Sequence, residues 1–522
     1  MKKITIYPTI ILILFLFTFS GIIQAQHQNV IIANSLGDGL PTEPAVVMNP
    51  ANTNEILVAG MPDNAYYSMD GGVTWTHEML QSPFGVNADP VLLVDQSGRY
   101  YYIHLPYVIN RVICHRKVDI SAAWAMESYA SYDGIHEVDK EWASFDAVNN
   151  IIYLSWTYFD EWGSSSPSDS SCIFLTHSFD GGESWSSPVR VSDQKGNAQG
   201  GNYSAHGSYN TTGPGGEVYV AWFGPAGLMF DRSTDQGNTW LPQDINTTGG
   251  HINWIYSIPG LNLGVTFPFI ACDRSGGPHN GNIYISWADK RNGGNDADVF
   301  IVKSMDGGIT WSTPIRVNDD PPGRHQFFPA LTVDQLTGKV WVVFFDRRNY
   351  TDTNTDVYMA ASEDGGNAFT NFKVSETPFI PFSTVFFGHY LGISAHDDHV
   401  FPVWNRMDNG ENSLVGAIID PTILGKEELY IRPEAQIQTY PNPFTESSFI
   451  SFRLKEPSDI TLQLFDISGK LISSLIDAKP FSAGKHVTRI DAARQGIKPG
   501  AYIVKLSTRK AQITARILLV EK

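Results

Sequence analysis

The stretch SMDGGVTW, residues 68–75, recurs four more times along the chain. In each copy an aspartate is followed within two residues by glycine. The carboxylate accepts hydrogen bonds from backbone amides of the turn, and glycine takes the positive φ values that a tight turn needs. We therefore predict five equivalent hairpin turns. Their aspartates are Asp70, Asp180, Asp235, Asp306 and Asp364.

An aromatic residue ends each copy, and its apolar ring is suited to packing between neighbouring sheets. Four copies keep Ser, Asp, Gly and Trp. This pattern closely resembles the Asp box, or BNR repeat, of sialidase-type β-propellers. The resemblance implies a propeller whose boxes lie on the rim, away from the ligand. We therefore expect the five aspartates to be structural and not catalytic.

A second repeat marks the start of each predicted sheet. Short alternating runs rich in Val, Ile, Tyr and Trp predict an all-β chain. The starts are EPAVVMN at 43, DPVLLVD at 89, EWASFD at 141, FPFIACD at 267 and FPALTVD at 328, with weaker versions SAHGSYN at 204 and HYLGISAHD at 389. Their spacing is typical of four-stranded propeller blades. We predict seven blades over residues 27–425, or six if one weak unit is only a long loop.

Two features complete the predicted ring. The long gap between the first two repeated turns predicts a degenerate turn near RKVDISAAW, 116–124. The last unit has three predicted strands, and NVIIANS at 29–35 is an unpaired strand near the mature N-terminus. We expect this segment to close the ring as the fourth strand, because closure removes exposed sheet edges.

Both ends of the chain carry export signals. Residues 1–25 combine MKK with the apolar run IILILFLF, as a secretory signal peptide does. After a linker at 426–438, residues 439–522 read as a small Ig-like β-sandwich. YPNPF, FDISGKLI and KPGAYIVKL in this region strongly resemble the type A C-terminal sorting domain of the type IX secretion system. The resemblance implies export by that machinery and a secreted, extracellular or outer-membrane surface location.

The charge distribution limits the classes of partner that the chain can bind. Of the total charge of −18, the first 25 residues carry +2 and residues 440–522 carry +6, which leaves −26 for residues 26–439. Such an acidic region argues against nucleic acid, and it disfavours a polyanionic glycan unless a local basic cleft or a bound cation reverses the field. Beyond the signal peptide, we predict no transmembrane segment. We expect a monomer that binds a glycan or glycoprotein.

One face of the predicted propeller collects the residues capable of chemistry. Starts of inner strands and loops between second and third strands share this face. The strand starts supply Glu43, Asp89, Glu141, His206, His325, His389 and Tyr390. The loops supply Asp289, Lys290, Arg291, Asp346, Arg347, Arg348 and Arg406.

The first functional hypothesis is a sialidase-like glycoside hydrolase. The resemblance implies three arginines that grip a carboxylate, a tyrosine nucleophile relayed by a glutamate, and an aspartate acid/base. The predicted catalytic residues are Tyr390, Glu43, Asp89 and His389, and the predicted substrate-binding residues are Arg291, Arg347, Arg348 and Arg406. The chain departs from the family at the first inner strand, which carries Glu43 in place of an arginine.

Two alternatives stay open. A polysaccharide lyase acting on uronate-containing glycans would use His104 with His115, or His389 with Tyr390, as acid and base. A non-enzymatic propeller would bind glycan or protein on its aromatic-rich face. The acidic loops at 295–300 and 351–356 only loosely resemble calcium sites, because neither has the full EF-hand pattern. Calcium is thus the one cofactor candidate, and the sequence identifies no metal ligands.

Overall fold

The computed structural model describes residues 27–37, 40–130, 133–419, 438–454, 457–466, 469–482, 484–508 and 512–520. The predicted signal peptide and nearly all of the predicted linker lie outside these residues. The chain divides into two compact units, Met1–Ile419 and Asp420–Lys522.

The first unit is all-β within its described residues. Seven antiparallel sheets are numbered here in chain order. Sheet 1 contains β2 (Ala45–Asn49), β3 (Asn52–Gly60), β4 (Asn64–Ser68) and β5 (Thr76–Met79). Sheet 2 contains β6 (Ala88–Val94), β7 (Tyr100–Leu105), β8 (Val112–Lys117) and β9 (Ala125–Ala130). Sheet 3 contains β10 (Glu137–Asp146), β11 (Ile151–Phe159), β12 (Ser170–Ser178), β13 (Val189–Arg190) and β14 (Gly196–Asn197).

The remaining sheets follow the same order. Sheet 4 contains β15 (His206–Thr212), β16 (Val218–Gly224), β17 (Gly227–Ser233) and β18 (Ile245–Asn246). A hairpin of β19 (Ile255–Tyr256) and β20 (Gly264–Val265) connects it to sheet 5, which contains β21 (Phe269–Cys272), β22 (Ile283–Asp289), β23 (Asp298–Ser304) and β24 (Ile315–Arg316). Sheet 6 contains β25 (Gln326–Val333), β26 (Val340–Asp346), β27 (Asp356–Ser362) and β28 (Thr370–Lys373). Sheet 7 contains β29 (Gly392–His396), β30 (His399–Asp408), β31 (Glu411–Ile418) and β1 (Gln28–Ala33).

The first strands of these sheets form a closed ring. Each contacts the first strand of the next sheet, in the order β2, β6, β10, β15, β21, β25 and β29, and β29 contacts β2. Neighbouring sheets cover both faces of the second strands, so most residues of these strands are buried. Every residue of β11, β16, β22 and β26 is buried. The tryptophans near the ends of the second strands are core residues, at most 1% exposed: Trp156, Trp222, Trp287 and Trp404.

The N-terminal strand completes sheet 7, as predicted. β1 pairs antiparallel with β31, from Gln28 opposite Ile418 to Ala33 opposite Leu414. The side chain of Ile32 joins a core cluster that also contains Val58 and Phe401. The first and last described strands of the first unit are therefore hydrogen-bonded in one sheet.

The repeated turns follow the third strand of their sheets and share one geometry. In the first copy, Asp70 Oδ1 accepts the amides of Val73 at 3.0 Å and Thr74 at 2.9 Å. The hydroxyl of Ser68 donates to Asp70 at 2.8 Å and accepts the amide of Gly72 at 2.9 Å. Asp180, Asp235, Asp306 and Asp364 repeat the bond to the amide four residues on, at 2.8–3.0 Å. Because neighbouring strands run in opposite directions, the turn after the third strand and the start of the first strand lie at opposite ends of the sheet.

The turn predicted near 116–124 is a variant of this geometry. Asp119 Oδ1 accepts the amides of Ser121 at 3.0 Å and Ala122 at 2.8 Å. Trp124 follows it and packs against the core between sheets 1 and 2.

The second unit contains two antiparallel sheets in its described residues. One consists of β32 (Gln438–Tyr440), β33 (Ser447–Leu454) and β36 (Gly484–Asp491). The other consists of β34 (Ser458–Asp466), β35 (Leu471–Phe481), β37 (Gly500–Ser507) and β38 (Gln512–Leu519). Ile450 and Phe452 from the first sheet share one core with Leu462 and Val504 from the second. Helix α1 (Ala492–Gln495) is capped by Asp491, and no helix of the described residues is long and apolar enough to span a membrane.

Candidate functional site

One backbone feature recurs where the first strands begin. Glu43, Asp89, Lys140 and Phe328 have positive φ values of 53°, 53°, 46° and 51°. Each lies six residues before the Asn or Asp that ends or follows its strand. Positive φ is uncommon for residues other than glycine. The strand pairing is irregular at three of these sites, and a bulge of this kind re-aims a side chain. This repeated backbone feature therefore places side chains at the same end of each of these first strands, around the ring.

Polar side chains converge on one side of this ring. We call this group the inner-ring cluster: Glu43, Asp89, Asp139, Lys140, Glu141, His206, Tyr209, His389 and Tyr390. All are buried except Asp139 and His389, whose side chains are 36% and 23% exposed. Phe267 continues the ring, with its centroid 6.4 Å from that of Tyr390.

Asp89 joins the two chemically distinctive members of the cluster. The hydroxyl of Tyr390 donates a hydrogen bond to Asp89 Oδ1 at 3.1 Å. The ammonium of Lys140 lies 3.5 Å from the same oxygen and 3.9 Å from the centre of the Tyr390 ring. A carboxylate, a phenol and a cation are thus in mutual contact. This arrangement suits proton transfer or the stabilisation of developing negative charge.

A second pair adjoins the first. His389 Nδ1 lies 2.9 Å from Glu43 Oε1. Its Nε2 is buried and has no hydrogen-bond partner among the described residues. A histidine oriented by a carboxylate on one side and unengaged on the other is the arrangement used for proton donation and acceptance.

Several buried polar atoms of the cluster lack a hydrogen-bond partner within the described chain. They are Lys140 Nζ, both carboxylate oxygens of Glu141, His206 Nδ1, Tyr209 OH and His389 Nε2. Each such group costs about 1–3 kcal/mol when it stays unsatisfied, so native proteins rarely collect them in one place. Their concentration distinguishes the cluster from ordinary core and makes it the candidate functional site.

Burial and crowding shift the pKa values here in different directions. Burial, helped by nearby Asp89, raises the pKa of Glu141 well above its ordinary value, and burial with the same carboxylate does so for Tyr390. Burial lowers the pKa of His206 to about 3. Burial opposes the charge of Lys140, but Tyr209, Asp89 and the glutamates outweigh it and raise its pKa. Tyr390 and Glu141 therefore hold their protons, while Lys140 stays a cation.

The residues predicted to be catalytic lie together in space. Glu43, Asp89, His389 and Tyr390 all belong to the cluster. Lys140 and Asp139 are not among the predicted residues, because the repeat EWASFD begins at Glu141, one residue out of register. Counting six residues back from Asp146, as from Asn49 to Glu43, finds Lys140.

Each of the four predicted substrate-binding arginines has a partner of its own within the chain. Arg291 grips Asp289, with Nε 2.9 Å from Oδ1. Arg348 pairs with Asp346 at 2.7 Å, and Arg406 pairs with Asp408 at 2.6 Å. Each ion pair joins residues two apart in sequence, and Arg348 also pairs with Asp319 while Arg406 also donates to the Thr377 and Pro378 carbonyls.

Arg347 differs from the other three arginines, because it is 2% exposed. Its Nη1 donates to the carbonyl of Pro259 at 2.6 Å and its Nε to Thr355 Oγ1 at 3.0 Å. Burial lowers its pKa to about 10. Arg347 thus ties sheet 6 to the segment that connects sheets 4 and 5.

Of the three histidines named for the lyase alternative, one lies in the inner-ring cluster and two lie elsewhere. His389 is in the cluster, whereas His104 and His115 lie in sheet 2, with ring centroids 5.3 Å apart. They are 0% and 4% exposed, and burial lowers their pKa values to about 3 and about 4. This pair packs as neutral rings inside the sheet.

The acidic loops proposed for calcium use their carboxylates internally. Asp298 accepts the side-chain amides of Asn292 and Asn318, both at 2.6 Å. Asp356 pairs with Lys373 at 2.9 Å. In the described part of the chain, no three His, Cys, Asp or Glu side chains are arranged to hold a metal ion.

Comparison with known proteins identifies the C-terminal region. Residues 438–520 match the family described as "Secretion system C-terminal sorting domain". The chain carries a type IX secretion sorting domain. Since this domain directs export, the protein is secreted to the cell surface or the extracellular space. A comparison with curated proteins gives no match.

Solved structures with similar folds differ widely in sequence. A PL25 ulvan lyase bound to -[GlcA(1-4)Rha3S]- is 13% identical, with a TM-score of 0.46, over 75% of this chain and 96% of that one. A mutant of the NanB sialidase from Streptococcus pneumoniae is 9% identical, with a TM-score of 0.42, over 73% and 85%. YCF48 bound to D1 peptide is 12% identical, with a TM-score of 0.41, over 76% and 96%.

Proposed function

We propose that residues 27–425 form a seven-bladed Asp-box propeller that acts on glycans outside the cell, with the inner-ring cluster as its reaction centre. The closed ring of first strands supports the fold, and the sorting domain supports the location. We take residues 439–522 to be a type A, Ig-like domain that is removed after export. The observation that carries the site is Asp89, which accepts the Tyr390 hydroxyl at 3.1 Å beside the Lys140 ammonium at 3.5 Å.

The first candidate reaction is sialidase-like hydrolysis of a glycosidic bond. Tyr390 is the nucleophile, and its hydroxyl proton passes to Asp89 as the oxygen attacks the anomeric carbon. Lys140 stabilises the charge that develops on the phenol oxygen. His389, oriented by Glu43, donates a proton to the departing sugar oxygen. Water then attacks the anomeric carbon, His389 takes the proton from this water, and the phenol oxygen leaves and regains the proton held by Asp89.

The second candidate is a polysaccharide lyase, and the position of Lys140 favours it. The inner-ring cluster contains no arginine, so a substrate carboxylate would meet a lysine there. In elimination, a cation neutralises the uronate carboxylate, a base takes the C5 proton, and an acid protonates the departing O4 as the C4–C5 double bond forms. Lys140 is suited to the first role, His389 to the second and Tyr390 to the third.

Product analysis separates these reactions. Purified protein comprising residues 26–522 is incubated with sialosides and with uronate-containing polysaccharides. Free sialic acid identifies the hydrolase, and new unsaturated ends that absorb in the ultraviolet identify the lyase. Saturable binding without either product identifies the non-enzymatic propeller and overturns the catalytic proposal.

A matched pair of variants tests the site itself. We expect Tyr390→Phe to lower turnover about a hundredfold or more, since it removes the phenolic proton and leaves the ring in place. The control is Tyr100→Phe, which deletes another buried hydroxyl, bonded to Glu55 at 3.0 Å in a different part of the fold. Turnover at the wild-type level in both variants would exclude Tyr390 from the chemistry.

A further inference from the structure

A cleft lies between the connection from sheet 4 to sheet 5 and the loop that follows β22. Its volume is about 450 Å³, enough for one or two sugar units. The residues that matter for its chemistry are His251, Asn253, Asp289, Lys290 and Arg291. None of its lining residues belongs to the inner-ring cluster, so the cleft is a separate place for a ligand.

Two cationic side chains line this cleft, and each has hydrogen-bond donors without an acceptor among the described residues. The Lys290 ammonium has no ion pair or hydrogen bond among the described residues, and partial burial lowers its pKa. Arg291 is fixed by its bonds to Asp289 and by the Phe300 ring, whose centre lies 4.4 Å from the guanidinium carbon. Its Nη1 has no acceptor in the described part of the chain. Asp289 offsets the charge of Arg291, so Lys290 supplies the net positive charge, and an anion would satisfy both sets of donors.

Further cations gather around this loop in an otherwise acidic domain. Burial lowers the pKa of nearby His325 to about 4; the charges of Lys290, Arg347 and Arg324 contribute to that shift, and Asp296 opposes it. Residues 26–439 carry −26 overall. Attraction of an acidic ligand here therefore depends on short-range contacts with Lys290 and Arg291 and not on the long-range field of the domain.

An exposed aromatic ring adjoins the cleft through one of its lining residues, His251. The Tyr203 ring is 58% exposed and stacks on His251, with centroids 4.7 Å apart and planes 10° from parallel. His251 Nδ1 lies 3.1 Å from the Pro225 carbonyl and Nε2 lies 3.2 Å from Asn253 Oδ1, so the ring is held in place. A fixed flat ring beside available cationic donors suits a sugar with one apolar face and one acidic group.

We propose that this cleft binds the acid-bearing unit of a carboxylated or sulfated saccharide, with Lys290 and Arg291 on the acid group and Tyr203 against the sugar ring. The inference rests on the proposed action on glycans, and it adds a binding subsite outside the reaction centre. Both kinds of saccharide carry an anionic group on a sugar, and the probes below distinguish a carboxylate from a sulfate.

Calorimetric titration of residues 26–522 tests the cleft. The probes are tetragalacturonic acid, a sulfated carrageenan tetrasaccharide and neutral cellotetraose. We expect at least one acidic probe to bind, with affinity that falls as salt rises, and the neutral probe not to bind. Equal binding of all three probes, or of none, overturns the proposal.

Variants then locate the bound saccharide. We expect Lys290→Gln to weaken binding about tenfold or more, and Tyr203→Ala to weaken it as well. Lys339→Gln removes the same charge from a residue paired with Asp398 at 2.8 Å, and Tyr107→Ala truncates another exposed tyrosine; both should bind normally. Binding that survives Lys290→Gln but is lost in Tyr390→Phe would overturn the cleft and leave the reaction centre supported. Turnover without any binding at the cleft would have the same meaning.

Discussion

Lys140 lies with its ammonium 3.9 Å from the centre of the Tyr390 ring, and both residues are at most 3% exposed. Lys140 lies in the first strand of sheet 3 and Tyr390 two residues before that of sheet 7, so the contact crosses the ring of strands. A buried cation is tolerated here because the Asp89 carboxylate lies 3.5 Å away and the charge of Glu43 adds to the attraction. The reaction centre and the stability of the ring therefore depend on the same charge.

Removing this charge should destabilise the protein strongly. We expect Lys140→Met to lower the free energy of unfolding by about 3–5 kcal/mol, because the buried carboxylates lose their counter-charge. Urea denaturation measures the change. The double variant with Asp89→Asn should recover part of the loss, whereas Lys339→Met, at a more exposed ion pair, should cost at most about 1 kcal/mol. Wild-type stability in Lys140→Met would show that the cation is dispensable.

Two buried groups should give opposite pH dependences. Burial lowers the pKa of His104 from 6.5 to about 3, so below pH 6.5 the unfolded state binds a proton that the folded state does not. Wild type should thus lose stability relative to His104→Gln as the pH falls from 6.5, by about 1.4 kcal/mol per pH unit. Burial raises the pKa of Asp231 from 3.8 to about 7, so wild type should gain stability relative to Asp231→Asn as the pH falls from 7 towards 4.

Urea midpoints between pH 8 and pH 5 measure both differences. The exposed histidine His399 provides the control, and His399→Gln is measured over the same pH range. Parallel curves for wild type and His104→Gln would contradict the neutral, buried state of that ring.

Closure of sheet 7 can be tested within a single strand. Ile32 is 7% exposed and packs in the core, whereas Ile31, its neighbour, is 62% exposed. We expect Ile32→Ala to cost about 2–4 kcal/mol, since it leaves a cavity under the closing strand. Ile31→Ala should change stability by less than about 0.5 kcal/mol. Equal effects on the thermal midpoint would mean that β1 does not hold the ring closed.

The repeated turns should affect stability alone. Asp306 Oδ1 accepts the Thr310 amide at 2.9 Å, and its carboxylate also accepts the hydroxyls of Ser304 and Thr310. Asp306→Ala should destabilise its hairpin by about 1 kcal/mol or more and leave ligand binding or turnover intact. Loss of activity in a variant with a near-normal melting temperature would give the turn a direct functional role.

Residue order alone was sufficient for the elements whose physics is local. The repeated turns are specified by an aspartate and glycines within eight residues, and the strands by alternating apolar residues. β1 was predictable because an unpaired strand near one end of the domain matches a three-stranded unit at the other. The sorting domain was recognisable from continuous segments such as KPGAYIVKL.

Which side chains meet depends instead on the folded ring. Tyr390 and Asp89 are 301 residues apart in sequence, and closure of the ring brings them within 3.1 Å. A bulge in the first strand of sheet 3 places Lys140 at the position predicted for Glu141, since a one-residue shift in a strand exchanges its faces. Each predicted arginine is paired with a nearby carboxylate or carbonyl. Ion pairing and strand register depend on spatial neighbours, which residue types and spacing do not specify.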